Sequence, residues 1–363
     1  MAFQVGDLCK FPYIQLRDTA TCKRIAAEAI AIARTDWDSQ ETSWDFAQIT
    51  LIDNACSVEQ SSKNWQTECC NRRLKMGKLE EENNTLYIQA YGLQDELTPE
   101  VPDEQITLTQ ADREKDIQRL TSYALGCMMG RYSLDEPGLI YAHSGNDGFD
   151  PSRYTTFPAD SDGILPLTDT DWFGPEDTAN RIGEFLKAAW PVETYHENVQ
   201  FVADSLSPKA GEAPMDTIRR YLATGFYKDH LQTYKKRPIY WLFSSGKERA
   251  FQALVYLHRY NEGTLARMRM EYVVPLQSRL SARIEQLDKD IAASTSTPDR
   301  KKREGEKAKL SRQYLELLSF DEKLRHYADQ RIHLDLDDGV KVNYSKFGDL
   351  LAEVKAITGD KDE

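Results

Sequence analysis

The stretch Lys235-Lys236-Arg237-Pro238-Ile239-Tyr240-Trp241-Leu242-Phe243-Ser244-Ser245-Gly246-Lys247-Glu248-Arg249 sets the centre of the fold. Its middle, Ile239 to Phe243, joins branched and aromatic residues in an unbroken apolar run, the composition of a buried strand. Pro238 stands at the head of that strand, where a missing N–H breaks no ladder. Ser244-Ser245-Gly246-Lys247 has the chemistry of a turn. Ala253 to Leu257 is a second apolar run, so the two predict a β-hairpin. Cations close both ends of the first strand: Lys235, Lys236 and Arg237 before it, Lys247 and Arg249 after it.

On the C-terminal side the pattern changes after Pro275. Leu276, Leu280, Ile284, Leu287 and Ile291 form one apolar helical seam, and Leu310, Tyr314, Leu317, Leu324 and Ala328 form a second. The loop Ser294–Asp299 lies between them, so Val273 to Arg331 predicts two antiparallel helices, with Asp321 as a flaw in the second seam. A tail follows, ending in an amphipathic turn from Leu350 to Ile357.

On the N-terminal side, Ile25, Ala29, Ile30 and Ala33 recur at helical spacing over Thr21–Arg34. An aromatic, carboxylate-rich linker follows from Asp36 to Phe46. Glu59–Asn83 reads as a long polar helix that buries Trp65, Cys69, Met76 and Leu79. Leu86–Tyr91 reads as a strand. Thr109 to Asp112 has the form of a capping box opening a helix, with Ile117, Leu120, Ala124 and Cys127 on one side and Gly130 at its stop. Leu134–Asp171 is loop with short strands. Helices resume over Pro175–Trp190, Val192–Leu206 and Pro214–Ala223, with Pro175 and Pro214 at first helical positions.

These elements predict a helix-rich α+β chain: a mixed α/β region around a central β-hairpin, then a long antiparallel helical hairpin. The divisions expected are 1–58 (helix and linker), 59–134 (helical), 135–272 (mixed α/β), 273–334 (helical hairpin) and 335–363 (tail).

The 363 residues, 40% hydrophobic and 29% charged, have a globular composition. Apolar runs such as Arg24–Ala33 are too short to span a bilayer, and Met1–Lys10 lacks the basic start and apolar stretch of a signal peptide, so the expected location is the cytoplasm. Cys9, Cys22, Cys56, Cys69, Cys70 and Cys127 include no C-x-x-C pair and predict no zinc site. The vicinal Cys69-Cys70 reads as two reduced thiols on a helix. Net charge is −13, yet Ser205–Leu280 holds thirteen basic and six acidic residues, an excess of +7 against −20 elsewhere. Such a basic sector in an acidic body suits a phosphate-contacting surface, although a solvated charged face has the same composition.

No proline-rich base-flipping loop, glycine-rich cofactor turn, P-loop or G-x-S-x-G elbow occurs, so the chain is not expected to be an enzyme by itself or to bind a cofactor or metal. Asp349 with Glu353-Val354-Lys355 mimics a nuclease metal site but lies on a helical pattern. Asp335-Leu336-Asp337-Asp338-Gly339 lacks the closing Glu of a calcium loop and reads as an acidic turn. His230 and His258 flank the basic sector and read as phosphate or core partners. The strand aromatics read as core. For the flanking cations, backbone contact with a duplex and simple solvation stand level on composition. The DNA-contact candidates are Lys235, Lys236, Arg237, Lys247, Arg249, Arg259, Arg219 and Arg220.

Several blocks carry a resemblance. Thr35-Asp36-Trp37-Asp38 followed by Glu41–Phe46 (ETSWDF) resembles the segment just after the catalytic domain of PglX-type adenine-specific DNA methyltransferases from BREX phage-defence systems. Tyr91–Leu97 (YGLQDEL), Tyr123–Leu134 (YALGCMMGRYSL), Arg237–Tyr260 (RPIYWLFSSGKERAFQALVYLHRY) and Asp335–Tyr344 (DLDDGVKVNY) are similar to the same family in the same order. The RPIYW and DLDDGVKVNY blocks are also similar to single-chain restriction–modification enzymes. The family's catalytic half, which precedes this region, is not present, so no catalytic residue carries over. The resemblance implies a non-catalytic target-recognition and helical-spacer region that marks self DNA. Its implied partners are double-stranded DNA, the catalytic methyltransferase domain and other BREX subunits, and S-adenosylmethionine is implied only for the full-length enzyme. The alternative is a protein-docking module that joins the methyltransferase to other BREX components.

Overall fold

The computed structural model describes residue 14 and residues 18–359; Cys9 and the Met1–Lys10 stretch lie outside them. The architecture is the expected helix-rich α+β, with one three-stranded antiparallel sheet and a long helical hairpin. The described residues form two units, one from those up to 45 and 62–112, the other from 46–61 and 113–359.

In the first unit, α1 (Thr19–Asp38) starts where the Asp18 carboxylate accepts the Thr21 N–H at 3.0 Å. It runs antiparallel to α2 (Val58–Tyr91), whose first turn belongs to the other unit. Arg24 meets Glu82 at 2.6 Å and Lys75 meets Glu28 at 3.1 Å. Trp65, Cys69, Met76 and Leu79 are buried, as the spacing predicts. The expected strand at Leu86–Tyr91 is instead the end of α2. The helix is already nucleated, so extending it one residue at a time costs little. It stops where Gly92 turns left-handed, with the Leu93 N–H closing on the Ile88 carbonyl at 3.0 Å. Thr109 does not cap the next helix either. Its N–H and hydroxyl donate to buried Asp36, the hydroxyl at 3.0 Å.

The second unit contains that next helix, α3 (Arg113–Met128), with Ile117, Leu120, Ala124 and Cys127 buried and Gly130 left-handed just beyond it. β1 (Ile164–Pro166), β2 (Tyr240–Ser244) and β3 (Gln252–Tyr256) form the sheet in the order β1-β3-β2. Both pairings are antiparallel, with Trp241 opposite Val255 and Leu242 opposite Leu254. Tyr240, Trp241 and Phe243 are core, as expected. Four helices, α4 (Thr178–Ala189), α5 (Tyr195–Ser205), α6 (Pro214–Thr224) and α7 (Phe226–Thr233), pack among themselves and with α3. Pro214 opens α6, but Pro175 sits in a 3-10 turn before α4, because Asp177 caps that helix by accepting the Asn180 N–H at 3.1 Å.

The helical hairpin is α9 (Val274–Ala293) and α10 (Thr297–Asp329), after a short α8 (Thr264–Arg267) and a π-turn at Met268–Val273. The helix continues through Pro275 because the π-turn before it relaxes the i→i−4 ladder that proline cannot join. Leu276, Leu280 and Leu287 are buried with Leu310, Leu317, Phe320 and Leu324. Arg283 pairs with Glu306 at 2.7 Å across the hairpin. The flaw at Asp321 is met from outside the seam: Arg269 donates to it at 3.1 Å. Past α11 (Gly339–Ser345), the tail reaches the sheet. Leu351 bridges Phe243, and the Ala352 N–H donates to the Leu242 carbonyl at 2.8 Å, before α12 (Val354–Thr358).

Candidate nucleic-acid interface

The two basic clusters occupy turns at opposite ends of β2. At its start, α7 closes through the Lys236 N–H on the Leu231 carbonyl at 2.8 Å and the Lys235 N–H on the Gln232 carbonyl at 3.2 Å. This closure places Lys235 at φ 49° and Lys236 at φ 61°. Glycine normally fills such positions, because a side chain there costs roughly 1–2 kcal/mol. At the other end, Arg249 has φ 50° in the turn to β3. Lys235, Lys236, Arg237, Lys247 and Arg249 are all exposed, and none makes an ion pair among the described residues. Three strained backbone positions therefore hold three of five uncommitted cations.

The second turn is fixed by one carboxylate from α10. Glu316 accepts the Ser245 hydroxyl at 2.7 Å, the Glu248 N–H at 2.8 Å and the Ala250 N–H at 3.2 Å. A Cβ on Gly246 would lie 2.7 Å from its Oε2, and Gly246 has φ 140°, so glycine is required twice over. Gln313 adds a bond to the Glu248 carbonyl at 3.2 Å, and Arg312 pairs with the Glu248 carboxylate at 3.2 Å. The hairpin helix thus serves as the mount for Lys247 and Arg249.

Three other candidate cations are placed differently. Arg259 is 1% exposed: its guanidinium donates to Asn146 Oδ1 at 2.8 Å and to the carbonyls of Asp160 and Ser161 at 2.6 and 2.9 Å, and it lies over the Phe149 ring. Arg219 is 8% exposed and pairs with Asp177, joining α6 to the cap of α4. Burial outweighs the pull of Arg219 and leaves the Asp177 carboxyl above its ordinary range. Arg220 is spent on Glu212 at 2.8 and 2.9 Å and on the Ser207 carbonyl, and it holds the Glu212 carboxyl down at about 2. These three arginines tie the unit together internally, unlike the five exposed cations of the two turns.

His230 is a core residue. Its Nε2 accepts the N–H groups of Ile239 and Tyr240, each at 3.2 Å, and so ties α7 to the head of β2. Burial, then the charge of Arg131, pushes its pKa down to about 3. Asp335 forms the expected acidic turn by accepting the Asp337 N–H at 3.0 Å. Asp349 is taken by Lys323, and no cluster of three metal-ligating side chains occurs among the described residues. Sequence reading missed Glu316 and Arg131. Glu316 meets its turn across 68 residues of chain, and no local pattern encodes that pairing.

No family profile matches the chain. Two curated proteins do. The adenine-specific methyltransferase BrxX of Escherichia coli O9:H4 (strain HS) is 46% identical over 99% of this chain and 32% of its own length. The adenine-specific methyltransferase PglX of Lacticaseibacillus casei (strain Zhang) is 40% identical over 99% of this chain and 30% of its own length. The chain spans about a third of the length of these relatives. Matched along 99% of its extent, the chain corresponds to the C-terminal part of BrxX- and PglX-type adenine-specific methyltransferases.

Proposed function

We propose that this chain is a DNA-recognition portion of an adenine-specific methyltransferase of the cytoplasm, without a catalytic centre of its own. The five uncommitted cations carry this reading. They sit at two fixed turns at either end of one rigid strand, in a protein whose net charge is −13. Lys235, Lys236, Arg237, Lys247 and Arg249 contact duplex phosphates and set register, while base reading falls to neighbouring groups. Methyl transfer, with S-adenosylmethionine as cofactor, belongs to a catalytic region outside this chain.

The test is duplex binding against salt. Each phosphate contact adds about one unit to the slope of log affinity against log salt. Changing all five cations to Ala should lower affinity alike for every sequence and reduce the slope by up to about five units, with melting temperature unchanged. Unaltered affinity and slope would place DNA elsewhere. A second reading, docking to another subunit, draws on Trp44, fully exposed among Glu41 and Asp45, and on Trp37. It gains if Trp44→Ala abolishes association with a partner subunit while duplex binding is unchanged.

A further inference from the structure

The second unit holds a further cationic feature that the surface cations do not account for. Arg131 follows the Gly130 stop of α3 and is largely enclosed. Its Nε donates to the Tyr132 hydroxyl at 2.9 Å, and its Nη1 reaches the Tyr256 hydroxyl only at 3.5 Å. The Tyr256 proton is directed away, to the Tyr141 carbonyl at 2.8 Å. Nη2 has no acceptor among the described residues, and no carboxylate pairs with the guanidinium. Every other enclosed arginine treated above, Arg219 and Arg259 included, satisfies its fork with a carboxylate or with backbone carbonyls.

The surroundings of Arg131 are four tyrosines, Tyr132, Tyr234, Tyr240 and Tyr256, and two histidines, with no carboxylate paired to it among the described residues. Because His230 Nε2 accepts two backbone N–H groups, a neutral ring carries its proton on Nδ1, and that buried Nδ1 has no partner. His258, edge-on to Tyr256, also has an unpartnered buried Nδ1. Burial and then Arg131 drive both rings toward the neutral form, to about 3 for His230 and about 4 for His258. Tyr234, next to Lys235, lies within the field of the same guanidinium. A charged fork with an arm short of an acceptor, beside two imidazoles whose buried Nδ1 atoms have no partner, is complementary to a phosphoryl oxygen.

We propose that Arg131 is a binding residue for a phosphoryl oxyanion and that its occupant is a phosphodiester of the bound duplex. This rests on the DNA-binding reading and deepens it: one phosphate is gripped by an enclosed, geometrically fixed fork, whereas the exposed cations act as mobile point charges. The protein is tested as the full chain, wild type beside Arg131→Gln and Arg131→Lys, with a duplex oligonucleotide and with inorganic phosphate as probes. Binding is followed by anisotropy across salt and by the ring resonances of His258. With wild type, both probes should shift the His258 resonances. Arg131→Gln should abolish those shifts, weaken duplex binding about tenfold and lower the salt slope by about one unit, whereas Arg131→Lys should keep the slope. If the duplex binds but Arg131→Gln alters neither affinity, slope nor resonances, this inference falls and the DNA reading stands. If no duplex binds yet phosphate shifts His258 only when Arg131 is present, the DNA reading falls and the occupant is a small phosphate. Silence of His258 toward both probes in wild type overturns the site, and that measurement needs no variant that folds.

Discussion

Removing the Glu316 carboxylate isolates the mount of the second basic turn. Glu316→Ala deletes the acceptor for the Ser245 hydroxyl and for the Glu248 and Ala250 N–H groups, at 2.7, 2.8 and 3.2 Å. Hydrogen bonds to a charged group contribute about 1.5–3 kcal/mol each. Ser245 and Glu248 are half-buried and can turn to water, but Ala250 is buried. The three bonds therefore do not sum, and the loss should be about 2–4 kcal/mol, of which Glu316→Gln should recover part. For a unit of this size, each kcal/mol lowers the melting temperature by about 2–4 °C, so Glu316→Ala should melt roughly 4–16 °C lower. Gly246→Ala should destabilise as well, because its Cβ meets Glu316 and its φ is 140°. With Glu316 already gone, Gly246→Ala should cost less, since the clash has been removed. Duplex binding should weaken in Glu316→Ala through a disordered Lys247 and Arg249, whereas Lys247→Ala with Arg249→Ala should weaken binding and leave melting unchanged. A Glu316→Ala protein within about 0.5 kcal/mol of wild type, with the single and double Gly246 effects adding, would refute this account of the turn.

Arg219→Ala should cost about 3–5 kcal/mol, because it leaves Asp177 buried without its partner; adding Asp177→Asn should restore part of the loss, read by denaturant melts. Burial and the neighbouring Asp160 raise the Asp162 carboxyl from 3.8 to about 7, so the stability tied to its proton is complete below about pH 3.8 and lost as pH rises through about 7. Asp162→Asn, which mimics the protonated form, should therefore gain on wild type as pH rises from 4 to 8, and a gap that stays constant would contradict the shift. Leu280→Asp with Leu287→Asp should unfold or aggregate the hairpin half, since losing each buried leucine costs about 2–5 kcal/mol; an unchanged melting curve would count against that packing.

The hairpin strands and the two apolar helical seams were readable because their signals are local: branched and aromatic runs bounded by turn residues, and leucines repeating every three or four positions. Leu86–Tyr91 was misread because a short apolar run suits strand and helix alike, and the helix was already under way from Val58. Thr109 had the spacing of a cap, but Asp36, 73 residues away, claims its donors. Charge counting located the basic sector without telling surface from interior. Lys235 and Arg249 emerge on strained turns, whereas Arg219 is drawn inside by Asp177, 42 positions earlier. Arg131 lay outside the counted sector altogether, and only the fold brings it beside Tyr256 and the histidines.

The bridge from Leu351 to Phe243 has a bearing on the order of folding. β2 can pair with β3 as soon as the turn between them exists, but its outer edge waits for residues roughly a hundred positions further along. During synthesis that edge, carrying Trp241 and Phe243, emerges early and stays open while the whole helical hairpin is still being made. Closure across so long a loop is slow, and an open apolar edge can pair with a neighbouring chain in the meantime. The few residues around Leu351 thus act late, as the stopper that ends a period of risk for the nascent protein.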